Sequence, residues 1–224
     1  MIFLYDENAG REHFTIKGEN FKYLVKVRRH QVGERLSFRN KEQRSRIYHY
    51  IIRDIEPRSL SLELVGSEIL ELKAKKELHI GWCVIDSKSV EKVLASLNEI
   101  GVAKISFIYC ARSQKNFKPD LKRYERILEA SNQQCGRSDL MEFALCKNLQ
   151  DFIEAYPETK VFDFCENILT SERDDFTTVL IGCEGGFSET ERELLANQER
   201  FRLNTPMVLR SESAAVAVAA KIIL

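Results

Sequence analysis

The chain has 224 residues, and its 34 Lys and Arg are matched by 34 Asp and Glu, so its net charge is zero. That length suits one large domain or two modest ones, and either size buries a real core. No apolar run has the length of a membrane span, and Met1–Asp6 lacks the basic start and long apolar centre of a signal peptide, so a cytoplasmic protein is expected.

Residues 1–70 read as a small β-rich domain. Met1–Tyr5 is a short apolar start, and Arg44–Ile55 and Ser59–Val65 are rich in Ile, Leu, Tyr and Val. In the last of these, Leu60, Leu62 and Leu64 face one way and Ser59, Ser61 and Glu63 the other. Pro57 between the two runs suggests a hairpin. Glu19–Val27, with Phe21, Leu24 and Val25 at helical spacing, is the one expected helix. Glu68–Glu77 is charged and loses the alternation, which makes it the linker to a second domain over 71–224.

From Leu78 the rhythm becomes strand then helix. Strands are expected at Leu78–Ile85, Lys104–Cys110, Phe143–Cys146, Val161–Cys165 and Val179–Ile181, with helices from Val90 to Gly101, Leu121 to Gly136 and Leu149 to Ala155. Such alternation implies a parallel sheet covered by helices on both faces. Phe201–Arg210 gives a short strand and an irregular loop. Ser211 and Ser213 can then cap Ala214–Leu224, a helix apolar all round and hence buried, in its own core or against a partner.

Val179–Glu191 is the stretch the rest is organised around. Apolar residues lead into Gly182, Gly185 and Gly186, and Ser188 stands three residues before Glu191, the spacing of a capping box. The pattern is strand, glycine turn, helix. It lacks the lysine and hydroxyl of a P-loop, and Glu184 in its middle would repel a phosphate. The turn either closes a βα unit or binds a ligand without phosphates, such as a nucleoside, an amino acid or both together.

Cysteine and histidine argue against a metal. Cys83, Cys110, Cys135, Cys146, Cys165 and Cys183 include no C-x-x-C pair, four of them (83, 110, 146 and 165) lie in strand-like runs, and His13, His30, His49 and His79 are isolated. Buried reduced thiols are expected. Charge, though zero in total, is segregated. Nine Lys and Arg stand against two Glu between Lys22 and Arg46, and ten acids against two Arg between Asp163 and Glu199. Each run is either a solvated face or, for the basic one, an RNA-contacting surface.

Several stretches, taken together and in order, resemble the RsmE family of small-subunit rRNA uridine N3-methyltransferases, in the SPOUT superfamily. They are Tyr23–Arg29 with Gly33-Glu34, Asn98–Val102, Arg112-Ser113, Glu129-Ala130 with Gln134–Arg137, Gly182–Ser188, and Leu209–Ala214. Tyr23, Arg28, Cys183 and Asn204–Met207 depart from the family pattern. The resemblance implies a PUA-like β-barrel that holds RNA, followed by a SPOUT-type α/β domain whose parallel sheet ends in a C-terminal trefoil knot.

It further implies a homodimer whose active site uses both subunits, S-adenosylmethionine as cofactor, and a specific uridine of 16S rRNA, free or in the 30S subunit, as substrate, with no membrane, DNA or metal partner. On that basis Arg112, Arg137 and Arg210 are the candidate catalytic cations, and Glu184 positions the cofactor or an arginine or acts as base. Ile181, Gly182, Glu184, Gly185, Gly186, Leu203, Thr205, Val208 and Leu209 are the candidate cofactor contacts. Lys22, Lys26, Arg28, Arg29 and Arg35 are the candidate phosphate contacts. Another SPOUT methyltransferase, acting on tRNA or ribose 2′-OH, and a non-catalytic RNA-binding assembly protein are the alternatives.

Overall fold

The computed structural model describes residues 2–114, 116–170 and 176–224. Met1 of the first apolar run and residues 172–175 of the acidic run lie outside them. Contacts within the chain divide it into two units, one of residues 1–73 with 132–139 and the other of 74–131 with 140–224.

The first unit is built on a five-stranded sheet. Its strands are β1 (Leu4–Tyr5), β2 (His13–Lys17), β3 (Arg35–Arg39), β4 (Arg46–Ile55) and β5 (Ser59–Ile69), in the order β1-β3-β4-β5-β2. Only β1 and β3 run parallel. The β4–β5 hairpin turns at Pro57 as expected, and its register shifts at His49/Tyr50 and Ile52/Asp54. Irregularities of that kind raise local twist, and the sheet curls into a half-barrel around Phe14, Phe38 and Tyr50, whose rings meet edge to face at 4.8–5.5 Å. The PUA-like expectation stands.

Three local expectations need correcting. The helix expected at Glu19–Val27 is a short α1 (Gly18–Phe21) that continues as a π-helical segment over Lys22–Val27, burying Phe21 and Leu24. The linker expected from Glu68 starts inside β5, which runs to Ile69. Its last five residues are exposed, so pairing with β4 rather than burial holds this end. Arg39, counted with the basic surface, is fully buried. Its guanidinium donates to Leu70 O at 2.9 Å and to Arg44 O, and lies 4.9 Å from the Phe3 ring.

The second unit has six parallel strands, β6 (His79–Cys83), β7 (Lys104–Ile108), β8 (Glu142–Cys146), β9 (Lys160–Phe162), β10 (Thr178–Ile181) and β11 (Arg200–Phe201). Their order is β11-β9-β10-β6-β7-β8. The helices are α2 (Ser87–Ile100), α3 (Leu121–Cys135), α4 (Leu149–Ala155), α5 (Glu189–Leu194) and α6 (Ser211–Ile223). Local chemistry sets their ends. Asp86 accepts Ser89 N at 3.1 Å to start α2, and Gly101 ends it at φ 108°, where a side chain would be strained.

The chain travels outward from β6 to β8, then crosses to the other side and inserts β10 beside β6. That reversal creates a switch point, and in open parallel sheets ligands sit outside the strand ends there. Helix α6 buries Ala214, Ala215, Val218, Ala219 and Ile222 but leaves Ser213 and Lys221 exposed and Val216, Ala217 and Ala220 half-buried, so it is buried along one side and not all round. Cys83, Cys110 and Cys183 are buried, whereas Cys135, Cys146 and Cys165 are only partly so. Cys165 lies beyond the end of β9, and a residue outside the sheet loses the cover that the expected strand would have supplied.

Candidate active site

Three loops meet at the switch point, and specific hydrogen bonds tie them. After β7, Ser113 closes a tight turn: its hydroxyl accepts Cys110 N at 3.0 Å and its N–H donates to Cys110 O at 3.1 Å. Ala111 and Arg112 therefore occupy the middle of the turn with their donors free to point outward. Arg112 Nη1 donates to Gly185 O at 2.6 Å, and Ala111 N donates to Glu191 Oε1 at 2.7 Å.

After β10 comes the glycine loop. Gly186 N donates to Cys183 O at 2.9 Å, and Gly186 adopts φ 64°. The expected capping box is present: Ser188 Oγ accepts Glu191 N at 3.3 Å and Glu191 Oε2 accepts Ser188 N at 2.8 Å. A Cβ added to Gly185 would lie 3.2 Å from the Arg112 Cδ, so glycine lets that side chain cross the loop closely and any larger residue would push it aside by a few tenths of an ångström.

The third loop leads from β11 into α6. Ser211, expected to cap the helix, instead donates its hydroxyl to Gly182 O at 2.6 Å and accepts Trp82 Nε1 at 2.8 Å. Arg210 is the N-cap residue and makes no side-chain cap. This one buried hydroxyl fixes the start of α6 against β6 and the glycine loop. Arg210, the residue before Ser211, is exposed.

Between these loops lies a cleft with about 790 Å³ of empty space, its open mouth included. Ile181, Gly182, Glu184, Gly186, Leu203, Thr205, Val208 and Leu209 line it; of the nominated cofactor contacts Gly185 does not, because it faces Arg112. Phe162, Asp163, Phe164, Phe187, Met207 and Ala214 line it too and were not nominated. The strand expected to run to Cys165 ends at Phe162, so Asp163 and Phe164 belong to the loop at the cleft. Phe164, Met207 and Val208 are 74%, 67% and 77% exposed, forming an apolar lip.

Three charged side chains line the cleft, Asp163, Glu184 and Arg202, and Arg202 Nη1 donates to Leu203 O at 3.3 Å. Asp163 is held by Arg192 at 2.5 Å. Glu184 is exposed, and among the described residues neither its carboxylate nor the Arg210 guanidinium has an ion-pair or hydrogen-bond partner. The thiols beneath are poor nucleophiles: burial pushes Cys83 and Cys183 up, and neighbouring cysteines push further.

A family model described as an RNA methyltransferase domain matches residues 72–223, and one for an RNA methyltransferase PUA domain matches residues 16–65. The Helicobacter pylori protein named ribosomal RNA small subunit methyltransferase E is 40% identical over 222 residues, covering 98% of both chains. The chain belongs to that family. Two solved structures share its fold. One is a Legionella pneumophila methyltransferase in complex with SAM, with TM-score 0.78 and 20% identity, covering 99% of this chain and 96% of that one. The other is the Neisseria gonorrhoeae ribosomal RNA small subunit methyltransferase E bound to S-adenosyl methionine, with TM-score 0.75 and 16% identity, covering 98% and 95%.

None of the three candidate catalytic arginines lines the cleft itself; Arg210 stands on a loop that carries lining residues, and Arg112 donates to Gly185 on another. Arg137 belongs to the segment grouped with the first unit, where it is 6% exposed and paired with Asp139 at 2.7 and 3.1 Å. Lys22, Lys26, Arg28, Arg29 and Arg35 are all exposed on the first unit. Lys22 pairs with Glu19 at 2.7 Å, and Arg28 Nε donates to Tyr23 OH at 2.9 Å. Arg29, at φ 59°, is the one non-glycine with positive φ among the described residues. Such strain concentrates at functional sites.

Proposed function

We propose that this protein transfers a methyl group from S-adenosylmethionine to N3 of a specific uridine in the 16S rRNA of the 30S subunit. The observation that carries the reading is the switch-point cleft, with Arg112 and Arg210 set on two of its three loops in a chain of this family. The cofactor fits what lines it. Ile181, Phe187, Leu203 and Leu209 offer apolar walls, and a Cβ on Gly186 would meet nothing within 4 Å, so its main chain is open to a ligand. Glu184, the lining carboxylate without an ion pair among the described residues, suits a cationic sulfonium or ammonium and disfavours phosphate.

When bound, the cofactor supplies an electrophilic methyl group on a sulfonium. The chain supplies the rest. N3 of uridine is an imide nitrogen and becomes a good nucleophile as its proton leaves, with negative charge building on O2 and O4. Arg112 and Arg210 are the cations for that charge, and Glu184 is the candidate proton acceptor. Arg137, buried against Asp139, acts in this scheme as a positioning residue. N3 lies on the pairing edge, so the uridine must enter unpaired or extruded, and Lys22, Lys26, Arg28, Arg29 and Arg35 hold the RNA by its phosphates.

The proposal includes a C-terminal trefoil knot formed as the segment ending in α6 threads behind the glycine loop, a homodimer whose two subunits complete each active site, and a cytoplasmic location beside the ribosome. Labelled S-adenosylmethionine with unmethylated 30S subunits tests it. Label on one uridine base, with a primer-extension stop at that nucleotide, is expected. Label on ribose 2′-oxygen or tRNA, or no transfer at all, refutes it.

A further inference from the structure

Glu191 forms half of a capping box, which needs only one of its oxygens. The structure engages both. Oε2 accepts Ser188 N at 2.8 Å within its own loop, while Oε1 accepts Ala111 N at 2.7 Å from a loop 80 residues away in sequence. The next residue along that second loop is Arg112, whose guanidinium returns to Gly185 O at 2.6 Å. The two loops are therefore cross-stitched twice, once through the carboxylate and once through the arginine.

We propose that Glu191 is a positioning residue for methyl transfer: it fixes the backbone at Ala111 so that Arg112 is aimed at the target base whenever the glycine loop holds cofactor. This rests on the catalytic reading of Arg112. A carboxylate is the group that serves here, because it presents two acceptor oxygens to two N–H donors. A glutamine has one acceptor oxygen and an NH₂, so it can serve only one of the two N–H groups, and where it completes the local capping box it leaves Ala111 N facing a donor. Glutamine thus separates the helix-start role from the coupling role, and alanine removes both.

The test compares Glu191→Gln, Glu191→Ala, Arg112→Ala and the Arg112→Ala/Glu191→Gln double variant in steady-state methylation of 30S subunits, with thermal melting of each. Expected is a Glu191→Gln enzyme that melts with wild type and keeps its KM for S-adenosylmethionine within about twofold, yet loses about ten- to a hundredfold in kcat, the scale of a small misplacement. The double variant should be no slower than Arg112→Ala. Wild-type kcat in Glu191→Gln beside a slow Arg112→Ala overturns this proposal alone. So does a double variant slower than Arg112→Ala by the full Glu191→Gln factor, or a Glu191→Gln that melts as low as Glu191→Ala. Wild-type kcat in Arg112→Ala overturns the catalytic reading of that arginine and this proposal with it.

Discussion

Replacing Ser211 by alanine should destabilise the second unit and loosen the cofactor cleft together. The hydroxyl accepts Trp82 Nε1 at 2.8 Å and donates to Gly182 O at 2.6 Å, and Trp82 is wholly buried. Removing it strands a buried indole N–H, which costs roughly 1–3 kcal/mol. It also strands the Gly182 carbonyl, half-buried on a cleft that water can enter, at about 1 kcal/mol. A loss of about 2–4 kcal/mol by urea denaturation is therefore expected, with weaker S-adenosylmethionine binding by calorimetry, since both Gly182 and the entry to α6 lose their common anchor. Ser211→Thr keeps the hydroxyl and should recover most of both. A loss under about 0.5 kcal/mol in Ser211→Ala, with unchanged affinity, would show that the bridge neither holds the fold nor shapes the cleft.

Charge reversal at Arg28 and Arg29 should weaken RNA binding and flatten its salt dependence by about one to two counterions; an unchanged slope in filter-binding assays would remove this surface from the RNA site. Gly185→Val should lower methyl-transfer rate more than cofactor affinity, because its Cβ meets Arg112 at 3.2 Å and not the cleft; a calorimetric loss of S-adenosylmethionine binding with kcat intact would reverse that assignment. Burial, with help from Lys104, holds the His79 imidazole down at about 4. The unfolded chain takes up this proton near pH 6.5 while the folded one resists, so this residue's contribution, roughly 3 kcal/mol, is present above pH 6.5 and lost as pH falls to 4. His79→Asn should flatten that part of the stability profile; an identical acid slope in the two proteins argues against it.

The sheet of the second unit was legible because its strands are short apolar runs separated by amphipathic helices, and each signal is local. Asp86 and Gly101, Ser188 and Glu191 mark their helix ends within four residues of the groups they satisfy. In the first unit β2 and β3 were missed. His13–Lys17 buries only Phe14 and Ile16, too few residues to establish a period of two, and its strand character comes from pairing with β5. The π-helical segment has the same apolar spacing as a regular helix, so periodicity could not distinguish them.

The site followed the same rule. The glycine loop was found from its own composition, yet what shapes it comes from residues distant in sequence. Ser211 looked like a cap because a serine before an apolar helix usually is one, but its hydroxyl has one buried and one half-buried partner, 129 and 29 residues away, and these outcompete the local amide. Glu191 satisfied its local role so well that nothing in the sequence hinted at a second donor on the Arg112 turn. Arg112 and Arg137 looked alike as family-like arginines, but one crosses a bare glycine at the cleft loops and the other is closed against Asp139. At a switch point the working geometry is made by side chains reaching between loops, and a carboxylate or hydroxyl with two acceptor or donor positions is the chemical means of doing so. Motifs show where such groups stand, and only the fold decides which loops they join.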